Sequence, residues 1–270
     1  MNTEIICDLF KLEGKVAIVT GAHSWLGYDI ACVFAEAGCD IVITSRSKTR
    51  AEETAKRIKE ECEVDAIGLT MDQRHHDQVK MMAEKAHEWK GHIDILVNNA
   101  GGGSGRSEGN LLKRSAVDIS DLISTNLTGA LYCCKEIGRF MVEQRRGKII
   151  NIASIAGLVG RDRRMYGRND RMEQPIDYAA AKAGVIGMTR DLAGLLSPQG
   201  VYVNAISPGG FDKGDLPKGF VEDYSDETML GRMGIMGVDI KGAALFLASS
   251  ASDYITGHNL VVDGGFSIWK

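Results

Sequence analysis

The sequence predicts an α/β fold: a doubly wound parallel sheet of seven strands with helices on both faces, in a single domain spanning residues 1–270. Short apolar runs alternate with longer helical stretches from residue 15 onward, which is typical of a parallel sheet covered on both sides. A turn containing glycine follows the first apolar run, and no internal repeat or linker divides the chain. These features favour one doubly wound domain over several smaller units.

Seven apolar runs are the predicted strands, and the stretches between them have helical periodicity. The strands are Val16–Thr20, Ile41–Thr44, Ala66–Thr70, Ile93–Asn98, Lys148–Ala153, Val201–Ile206 and Leu260–Val262. The helices are Leu26–Ala37, Lys48–Glu61, Gln73–Lys90, Ser115–Gln144, Ile176–Leu196 and Ile240–Ser249. Glycine, proline and acidic residues interrupt the stretch around 207–236, which is therefore predicted to form a substrate lid, with a surface excursion as the alternative.

Composition excludes several classes of protein. The chain has 270 residues, a net charge of −4 and no long basic run, so no nucleic-acid partner is expected. No apolar stretch is long enough to cross a membrane, and acidic residues near the N-terminus argue against a signal peptide. The six cysteines show neither CxxC nor zinc spacing, which predicts reduced thiols in a cytoplasmic protein and no metal site.

The turn after the first strand has the pattern of a nucleotide-binding turn. It reads Thr20-Gly21-Ala22-His23-Ser24-Trp25-Leu26-Gly27 and leads into a helix. Gly21 permits a tight turn and Gly27 lets the helix pack closely on the sheet, so backbone N–H groups can face a pyrophosphate. This predicts a Rossmann-like dinucleotide site, with a structural turn as the alternative.

The end of the second strand indicates which dinucleotide is bound. An acidic residue usually binds the ribose hydroxyls of NAD at this place, but here Ser45 is followed by Arg46. A hydroxyl beside a guanidinium suits a 2′-phosphate, so NADP is the predicted cofactor and NAD the alternative. Asp72, at the end of the third strand, is predicted either to contact the adenine or to cap its loop.

Tyr178 and Lys182 lie four residues apart on one predicted helix, and therefore on one helix face. An ammonium group one turn away is expected to lower the pKa of the phenol, which would make Tyr178 a proton donor and acceptor for carbonyl–alcohol interconversion. Ser154, at the tip of the fifth strand, can steady a carbonyl oxygen. Asn126 lies mid-helix, where a buried amide must be hydrogen-bonded, either to tie helix to strand or to hold a water.

The ordered set of motifs resembles the compact type of the short-chain dehydrogenase/reductase family over nearly the whole chain. The motifs are TGxxxxxG, NNAG, Asn126, Ser154, Tyr178-x-x-x-Lys182, Asn204-x-x-x-Pro208-Gly209 and Val262-Asp263-Gly264-Gly265. The resemblance implies hydride transfer between a nicotinamide and a substrate carbon, with a catalytic tetrad of Asn126, Ser154, Tyr178 and Lys182. The implied and predicted cofactor contacts are Gly21, His23, Ser24, Trp25, Leu26, Gly27, Ser45, Arg46, Asp72, Asn99, Ala100, Gly101, Pro208 and Gly209.

Two positions depart from the family pattern. Trp25 replaces the middle glycine of the turn, where an indole could crowd the cofactor. Lys213 stands at about the place where the family tends to have a threonine after Pro208-Gly209. Both departures bear on cofactor affinity and leave the catalytic set intact.

An arginine-rich insert at residues 160–175 separates Ser154 from Tyr178 by more than is usual in the family. Because arginines bind carboxylates bidentately, an anionic substrate such as a keto-sugar acid is predicted, with Arg161 and Arg164 joining Ser154 and Tyr178 as substrate contacts. Pairing of the arginines with neighbouring acids or with another subunit is the alternative. The insert and the tail Gly264–Trp269 resemble the sugar, polyol and gluconate-type dehydrogenases of the family.

The leading prediction is therefore an NAD(P)-dependent oxidoreductase acting on a sugar, polyol or sugar acid. A 3-oxoacyl thioester (acyl-carrier-protein) reductase is the alternative enzyme, and a non-catalytic nucleotide-binding protein is the alternative that Trp25 raises. A methyltransferase would leave the four tetrad residues without a function. The family resemblance also implies a homotetramer with the helices Ser115–Gln144 and Ile176–Leu196 at an interface.

Overall fold

A computed structural model describes residues 6–103 and 108–269 and confirms the predicted fold class. Seven parallel strands form one sheet in the order β3-β2-β1-β4-β5-β6-β9. They are β1 Val16–Thr20, β2 Asp40–Ser45, β3 Ala66–Thr70, β4 Ile95–Asn98, β5 Gly147–Ile152, β6 Val201–Pro208 and β9 Asn259–Val262. The strand order reverses between β1 and β4, which is where doubly wound sheets bind ligands. Residues 1–5, 104–107 and 270 of the predicted domain lie outside the described residues.

Helices cover both faces of this sheet, largely at the predicted places. They are α1 Trp25–Glu36, α2 Lys48–Cys62, α3 His76–Lys90, α4 Ala116–Ile123, α5 Gly129–Glu143, α6 Arg164–Arg168, α7 Ile176–Leu196, α8 Lys218–Asp226 and α9 Lys241–Ala248. Helix α3 begins later than predicted because the residues before it form a turn capped by Asp72, whose Oδ1 accepts from the Arg74 N–H at 3.1 Å. Within the described ranges, no helix combines the length and apolar character needed to span a bilayer.

The core consists of two apolar layers, one on each face of the sheet. Successive residues of β1 alternate between them: Ile18 packs with α3 and α5, whereas Val19 packs with α1 and α9. Both are fully buried. Each such side chain contributes about 1.5–3 kcal/mol relative to exposure, so the two layers fix the strand ends on which the site residues lie.

The predicted long helix Ser115–Gln144 is divided, which corrects the prediction of one continuous helix. A π-helical turn, Ser124–Thr128, separates α4 from α5 and contains the buried Asn126. π-helical turns within α-helices often occur at functional sites because the extra residue in the turn changes the direction of a side chain.

The stretch around 207–236 is more regular than predicted. The two-residue strands β7 Phe211–Asp212 and β8 Gly234–Ile235 pair with each other, and α8 lies between them. A separate apolar cluster joins this stretch to the insert at 160–175; its buried members are Ile155, Met165, Phe220, Tyr224, Met233 and Phe266. The cluster places the insert beneath α8, and the function of the stretch as a substrate lid stays a prediction.

Candidate active site

The nucleotide turn is held by the last residue of β1. The Thr20 hydroxyl accepts hydrogen bonds from the backbone N–H groups of Asn99 and Ala100, at 3.0 and 2.9 Å. The Asn99 side chain donates in return to the Thr20 carbonyl at 2.9 Å. The ends of β1 and β4 are thus locked together, and the predicted cofactor residues of both strands meet at the carboxyl edge of the sheet.

Two glycines in this turn leave no space for a side chain. Gly21 has a φ of +65°, and a Cβ there would lie 2.9 Å from the Ala100 Cα. A Cβ on Gly27 would lie 2.3 Å from Asn99 Nδ2. The family of turns that cradle a diphosphate needs this close approach of backbone to backbone, so the chain fits a dinucleotide here.

Trp25 is half exposed and has the backbone conformation of a glycine. Its backbone has a φ of +58°, the left-handed conformation that the family's glycine adopts without cost, and its side chain is 49% exposed. The Lys213 ammonium lies 3.9 Å from the centroid of the indole ring. The turn therefore keeps a glycine-like backbone path despite its large residue, and Leu26 next to it packs on the core.

Positive charge surrounds the outer end of the turn. A cavity of ≈ 560 Å³ is lined by His23, Ser24 and Trp25 together with Arg50 and other residues of α2. Burial, with the Arg50 and Arg46 charges, lowers the pKa of His23. In the part of the chain that the structure describes, His23 Nδ1 is buried and has no hydrogen-bond partner, so a ligand polar group would be favoured beside it.

Ser45 and Arg46 differ in their surroundings. Ser45 is buried, and its Oγ accepts from the Ser47 N–H at 3.2 Å, so it shapes the entry into α2. Arg46 is exposed. Arg50, one turn into α2, lowers the pKa of His23 by its charge, as Arg46 does. The guanidinium groups, more than the Ser45 hydroxyl, are placed to contact an anion.

Asp72 serves mainly as a loop cap and ion-pair partner. Its carboxylate accepts two bonds from the Arg74 guanidinium as well as the backbone bond, and the Arg74 side chain lowers the pKa of Asp72. Its contact with an adenine stays a prediction. Beside it, Gln73 Nε2 donates to the Ala100 carbonyl at 2.8 Å and to the Thr125 carbonyl, which joins the nucleotide edge to the π-helical turn.

Asn126 ties its helix to the loop after β4. Its Oδ1 accepts from the Gly102 N–H at 2.8 Å, and its Nδ2 donates to the Gly102 and Leu122 carbonyls at 2.9 and 3.0 Å. A Cβ on Gly101 would lie 2.5 Å from Asn126 Oδ1. Of the two predicted functions for this amide, the structural tie is observed, and the holding of a water stays a prediction.

Ser154 and Tyr178 come together as predicted. Ser154 ends β5 and caps a short turn, where its Oγ accepts from the Ala156 N–H at 3.1 Å. That turn docks on α7 because Gly157 has no side chain; a Cβ there would lie 2.6 Å from the Ala183 nitrogen. The Ser154 hydroxyl lies near enough to the Tyr178 phenol to oppose the rise of its pKa. The hydroxyl and the phenol can therefore contact one substrate oxygen.

The pKa of Tyr178 differs from the expectation that the Lys182 ammonium lowers it. Burial raises the pKa of the Tyr178 phenol, while the Ser154 hydrogen bond and the Arg161 charge oppose the rise. Lys182 is not the cation that opposes it; the Lys182 Nζ lies 5.7 Å from the Tyr178 ring centroid and donates to the Ile152 carbonyl at 2.7 Å. Burial lowers the pKa of Lys182 to about 8. The phenol is thus protonated at neutral pH, ready to donate a proton.

A buried ion pair fixes the start of the catalytic helix. Arg114 Nε lies 3.0 Å from Asp177 Oδ2, next to Tyr178, with both side chains almost fully buried. The same guanidinium donates to the Glu108 carbonyl at 2.7 Å. The pair anchors α7 to the segment that leads into α4.

Four of the five arginines of the insert divide into two groups, and the fifth, Arg171, lies over the Phe220 ring, 4.5 Å from its centroid. Three of them pair with acids: Arg163 with Glu173, Arg164 with Asp162 and Arg168 with Asp223. Arg161 instead contacts Gln174 and donates to the Pro175 carbonyl at 3.2 Å, where α7 begins.

Arg161 and Arg164 therefore have different prospects as substrate contacts. Arg161 is half-buried and its charge acts on both Tyr166 and Tyr178. The Arg164 side chain is 83% exposed and bound to Asp162. Arg164 is already paired with Asp162, and its contact with a substrate stays a prediction. The alternative of pairing with neighbouring acids holds for Arg164 and fails for Arg161.

Pro208 and Gly209 end β6 at the same edge of the sheet. The Gly209 N–H donates to the Val262 carbonyl at 2.9 Å, and a Cβ on Gly209 would lie 2.9 Å from the Asp263 Cα. The end of β6 is therefore pressed against β9, close to the C-terminal glycine motif. Their contact with a cofactor stays a prediction.

A nucleotide cradle at the switch point of a doubly wound sheet, beside a linked serine, tyrosine and lysine, defines an NAD(P)-dependent oxidoreductase. Residues 21–267 match the family model described as enoyl-(acyl carrier protein) reductase. The chain belongs to the short-chain dehydrogenase/reductase family.

Known relatives cover nearly the whole chain. The 3-oxoacyl-[acyl-carrier-protein] reductase of Aquifex aeolicus is 35% identical over 94% of this chain and 98% of its own length. The 2-dehydro-3-deoxy-D-gluconate 5-dehydrogenase of Escherichia coli is 35% identical over 97% of this chain and 99% of its own length. A gluconate 5-dehydrogenase from Burkholderia cenocepacia, solved in complex with NADP and tartrate, has a TM-score of 0.87 at 32% identity and covers 97% of this chain and 98% of its own.

Sequence reasoning missed three residues that shape the site. Arg50 lies four residues after Arg46, and this spacing on the predicted start of a helix could have revealed it. Gln73 and Arg114 carried no such signal. Their partners are distant in sequence, since Arg114 and Asp177 are 63 residues apart, so only the fold brings them together.

Proposed function

We propose that this enzyme is an NADP-preferring dehydrogenase/reductase of a sugar acid. The observation that carries the proposal is the position of Arg161 beside Tyr178, with a charge that acts on the phenol. Because Arg161 donates to neutral acceptors, Gln174 and the Pro175 carbonyl, a substrate carboxylate can bind it without displacing an acidic side chain. The similarity to a gluconate 5-dehydrogenase and to a 2-dehydro-3-deoxy-D-gluconate 5-dehydrogenase supports the same substrate class.

The proton and the substrate oxygen are handled by this chain's own side chains. Tyr178 donates its proton to the substrate oxygen in reduction and accepts it in oxidation. Ser154, close to the Tyr178 phenol, orients that oxygen. Lys182, fixed on the Ile152 carbonyl, lies behind the phenol, and Asn126 holds the loop after β4 in place. The nicotinamide cofactor, when bound, supplies or accepts the hydride.

The preference for NADP rests on the charges near His23. Arg46 and Arg50 both act on this imidazole, and guanidinium groups bind phosphate bidentately. We expect NADP to bind at least tenfold more tightly than NAD, since one charge-assisted contact is worth roughly 1.5–3 kcal/mol. Equal Michaelis constants for NADP and NAD would contradict this preference.

A substrate panel read at the NAD(P)H absorbance band tests the function. Gluconate-like acids, neutral polyols and acyl thioesters would be compared with each cofactor. We expect the acids to give the highest kcat/KM. We further expect Arg161→Gln to raise the KM for the acids about tenfold or more, whereas the matched control Arg164→Gln leaves it unchanged. Activity restricted to neutral polyols would refute the sugar-acid assignment.

A 3-oxoacyl thioester reductase is the second candidate. The similarity to the Aquifex aeolicus acyl-carrier-protein reductase favours it, as does the exposure of Arg164 and Arg168 at the mouth of the site. Those guanidinium groups could contact the phosphate of a phosphopantetheine carrier. Faster reduction of acyl thioesters than of sugar acids in the same panel would establish this alternative.

We also propose a cytoplasmic homotetramer. The helices predicted at the interface expose apolar side chains, among them Val117, Leu131 and Leu195. All six cysteines are free and four are buried in the core, which suits a reducing compartment. Light scattering coupled to size-exclusion chromatography measures the assembly, and a monomer mass would contradict the tetramer.

A further inference from the structure

Two arginines of the insert at residues 160–175 carry charges that the described carboxylates do not neutralise. The other three form ion pairs with acidic side chains; they are Arg163, Arg164 and Arg168. Arg161 donates instead to neutral acceptors just before α7. Arg171 lies over the Phe220 ring of α8, and within residues 6–103 and 108–269 it has no ion-pair partner. The insert therefore offers two guanidinium groups to an anionic ligand.

The Tyr166 phenol lies close to both of these arginines. The Tyr166 ring meets the Phe220 ring edge to face, with 5.4 Å between the centroids, so Tyr166 and Arg171 pack on one aromatic side chain. The Arg171 N–H also donates to the Tyr166 carbonyl at 3.0 Å, which fixes the two residues relative to each other. Burial raises the pKa of Tyr166, and the charges of Arg161 and Arg171 oppose the rise. The two guanidinium groups thus approach the same phenol.

The two arginines differ in their distance from the reaction. The Arg161 guanidinium donates to the Pro175 carbonyl at 3.2 Å, where the catalytic helix α7 begins, and its charge opposes the rise of the Tyr178 pKa. Arg171 packs on α8 instead, 4.5 Å from the centroid of the Phe220 ring. The insert therefore places one cation beside the reacting centre and a second one against α8.

The Arg171 guanidinium carries an unsatisfied donor. Its Nη1 is buried and has no hydrogen-bond partner in the described part of the chain. A buried donor without an acceptor is costly, and the apolar cluster that contains Phe220 strengthens the attraction of the guanidinium to an anion. Arg171 as a whole is partly exposed, so a ligand can approach it. An anionic group on the substrate would supply the acceptor.

We propose that Arg171 is a second anion-binding residue and that the substrate is a sugar acid with two anionic groups. Arg161 binds the carboxylate nearer the reacting carbon, and Arg171 binds a carboxylate or phosphate at the other end of the molecule. The inference rests on the proposed sugar-acid function and adds a second charge to that substrate.

Three acids that differ only at one end test the proposal. Gluconate has one carboxylate; glucarate has a second carboxylate in place of the primary alcohol, and 6-phosphogluconate has a phosphate on it. We expect the wild type to oxidise at least one of the last two with a kcat/KM about tenfold or more above that for gluconate. The preferred acid identifies the second group. We expect Arg171→Gln to reduce this ratio to about twofold or less by raising the KM. Equal kcat/KM for the three acids, or an unchanged ratio in Arg171→Gln, would overturn the proposal.

Two further variants separate the charge of Arg171 from its packing. Arg171→Lys keeps a cation and should retain part of the preference, whereas a loss equal to that of Arg171→Gln would overturn the proposal. The control Arg139→Gln removes one charge from a surface pair with Glu84, at 3.2 Å, and should leave the ratio unchanged. Melting temperatures show that each variant is folded. Absence of wild-type activity on all three acids would instead refute the proposed function on which the inference rests.

Discussion

Two regions of the site are built in opposite ways. The catalytic floor, consisting of Asn126, Ser154, Tyr178, Lys182 and the Arg114–Asp177 pair, is tied mostly to backbone groups inside the protein. Lys182, for example, bonds to the Ile152 carbonyl at 2.7 Å and is 4% exposed. The rim, consisting of residues 160–175, Lys213 and Trp25, is held mainly by partly exposed ion pairs and by cation–π contacts.

We infer from this difference that the floor carries out the reaction and that the rim selects the ligand. Removing one partner from a buried pair leaves an uncompensated charge and is costly, whereas exposed pairs contribute little. Substitutions at the floor should therefore change chemistry or folding, and substitutions at the rim should change binding with little effect on either. The experiments below test this contrast, beginning with the largest expected effect.

Tyr178→Phe should give the largest effect at the floor. Because the phenol is the proposed proton donor, we expect kcat/KM to fall by roughly 10²–10⁴-fold, with unchanged cofactor affinity and melting temperature. Tyr254→Phe is the matched control, since Tyr254 is fully exposed. Steady-state kinetics and calorimetry measure both variants. A fall in kcat/KM of less than tenfold would show that Tyr178 is not the proton donor.

Arg114→Met tests whether buried pairs dominate stability. We expect the free energy of unfolding to fall by about 3–5 kcal/mol, because Asp177 would keep a buried, unpaired charge. The comparison variant at the rim, Arg164→Met, removes an exposed pair and should leave the melting temperature unchanged. Denaturant unfolding gives both values. Similar losses in the two variants would abolish the distinction between floor and rim.

Most of the fold and the four tetrad residues of the floor could be predicted from the sequence, whereas the Arg114–Asp177 pair could not. Parallel strands buried on both faces read as apolar runs, and β1 and β3 were predicted at their observed bounds. The meeting of Ser154 with Tyr178 was implied by the family resemblance of the motifs, since Tyr178 lies on α7 and not at a strand end. The strands depend on local pattern, which a single chain contains in full.

What could not be predicted depends on contacts between distant segments. No periodicity marks the π-helical turn around Asn126, because its extra residue is stabilised by the Gly102 backbone. The choice between Arg161 and Arg164 depends on which acid lies nearby in space. The direction of the Tyr178 pKa depends on burial, which outweighs the charges that sequence spacing suggests.

The pH dependence of stability tests whether burial destabilises the charged form of Lys182. Burial lowers its pKa from 10.5 to about 8, which corresponds to roughly 3 kcal/mol. Between these pH values the unfolded chain binds more protons than the native protein, so rising pH favours the native state. We therefore expect the unfolding free energy of the wild type, relative to that of Lys182→Met, to increase with pH from about pH 8 upward.

The difference between the two proteins is the quantity to measure, in denaturant unfolding from pH 7 to 10. The raised pKa values of Cys39 and Tyr178 act in the opposite direction, since these groups keep their protons longer in the native state. They are present in both proteins and largely cancel. A difference that is flat or falls with pH would mean that the Lys182 ammonium is not destabilised by burial.

The smallest effect is expected at Trp25, where the backbone of the rim can be tested apart from its contacts. Trp25→Gly and Trp25→Leu both remove the cation–π contact, but only Leu keeps the cost of a left-handed φ. That cost is about 1–2 kcal/mol and exceeds the entropic cost of glycine, about 0.5–1 kcal/mol. Trp25→Gly should therefore be more stable than Trp25→Leu by about 1 kcal/mol in denaturant unfolding. Leu158→Gly is the control, because its φ of −111° suits any residue and glycine should destabilise there. If glycine destabilises both sites alike, the left-handed turn is not strained. Trp25 would then be held by packing contacts, as the floor residues are.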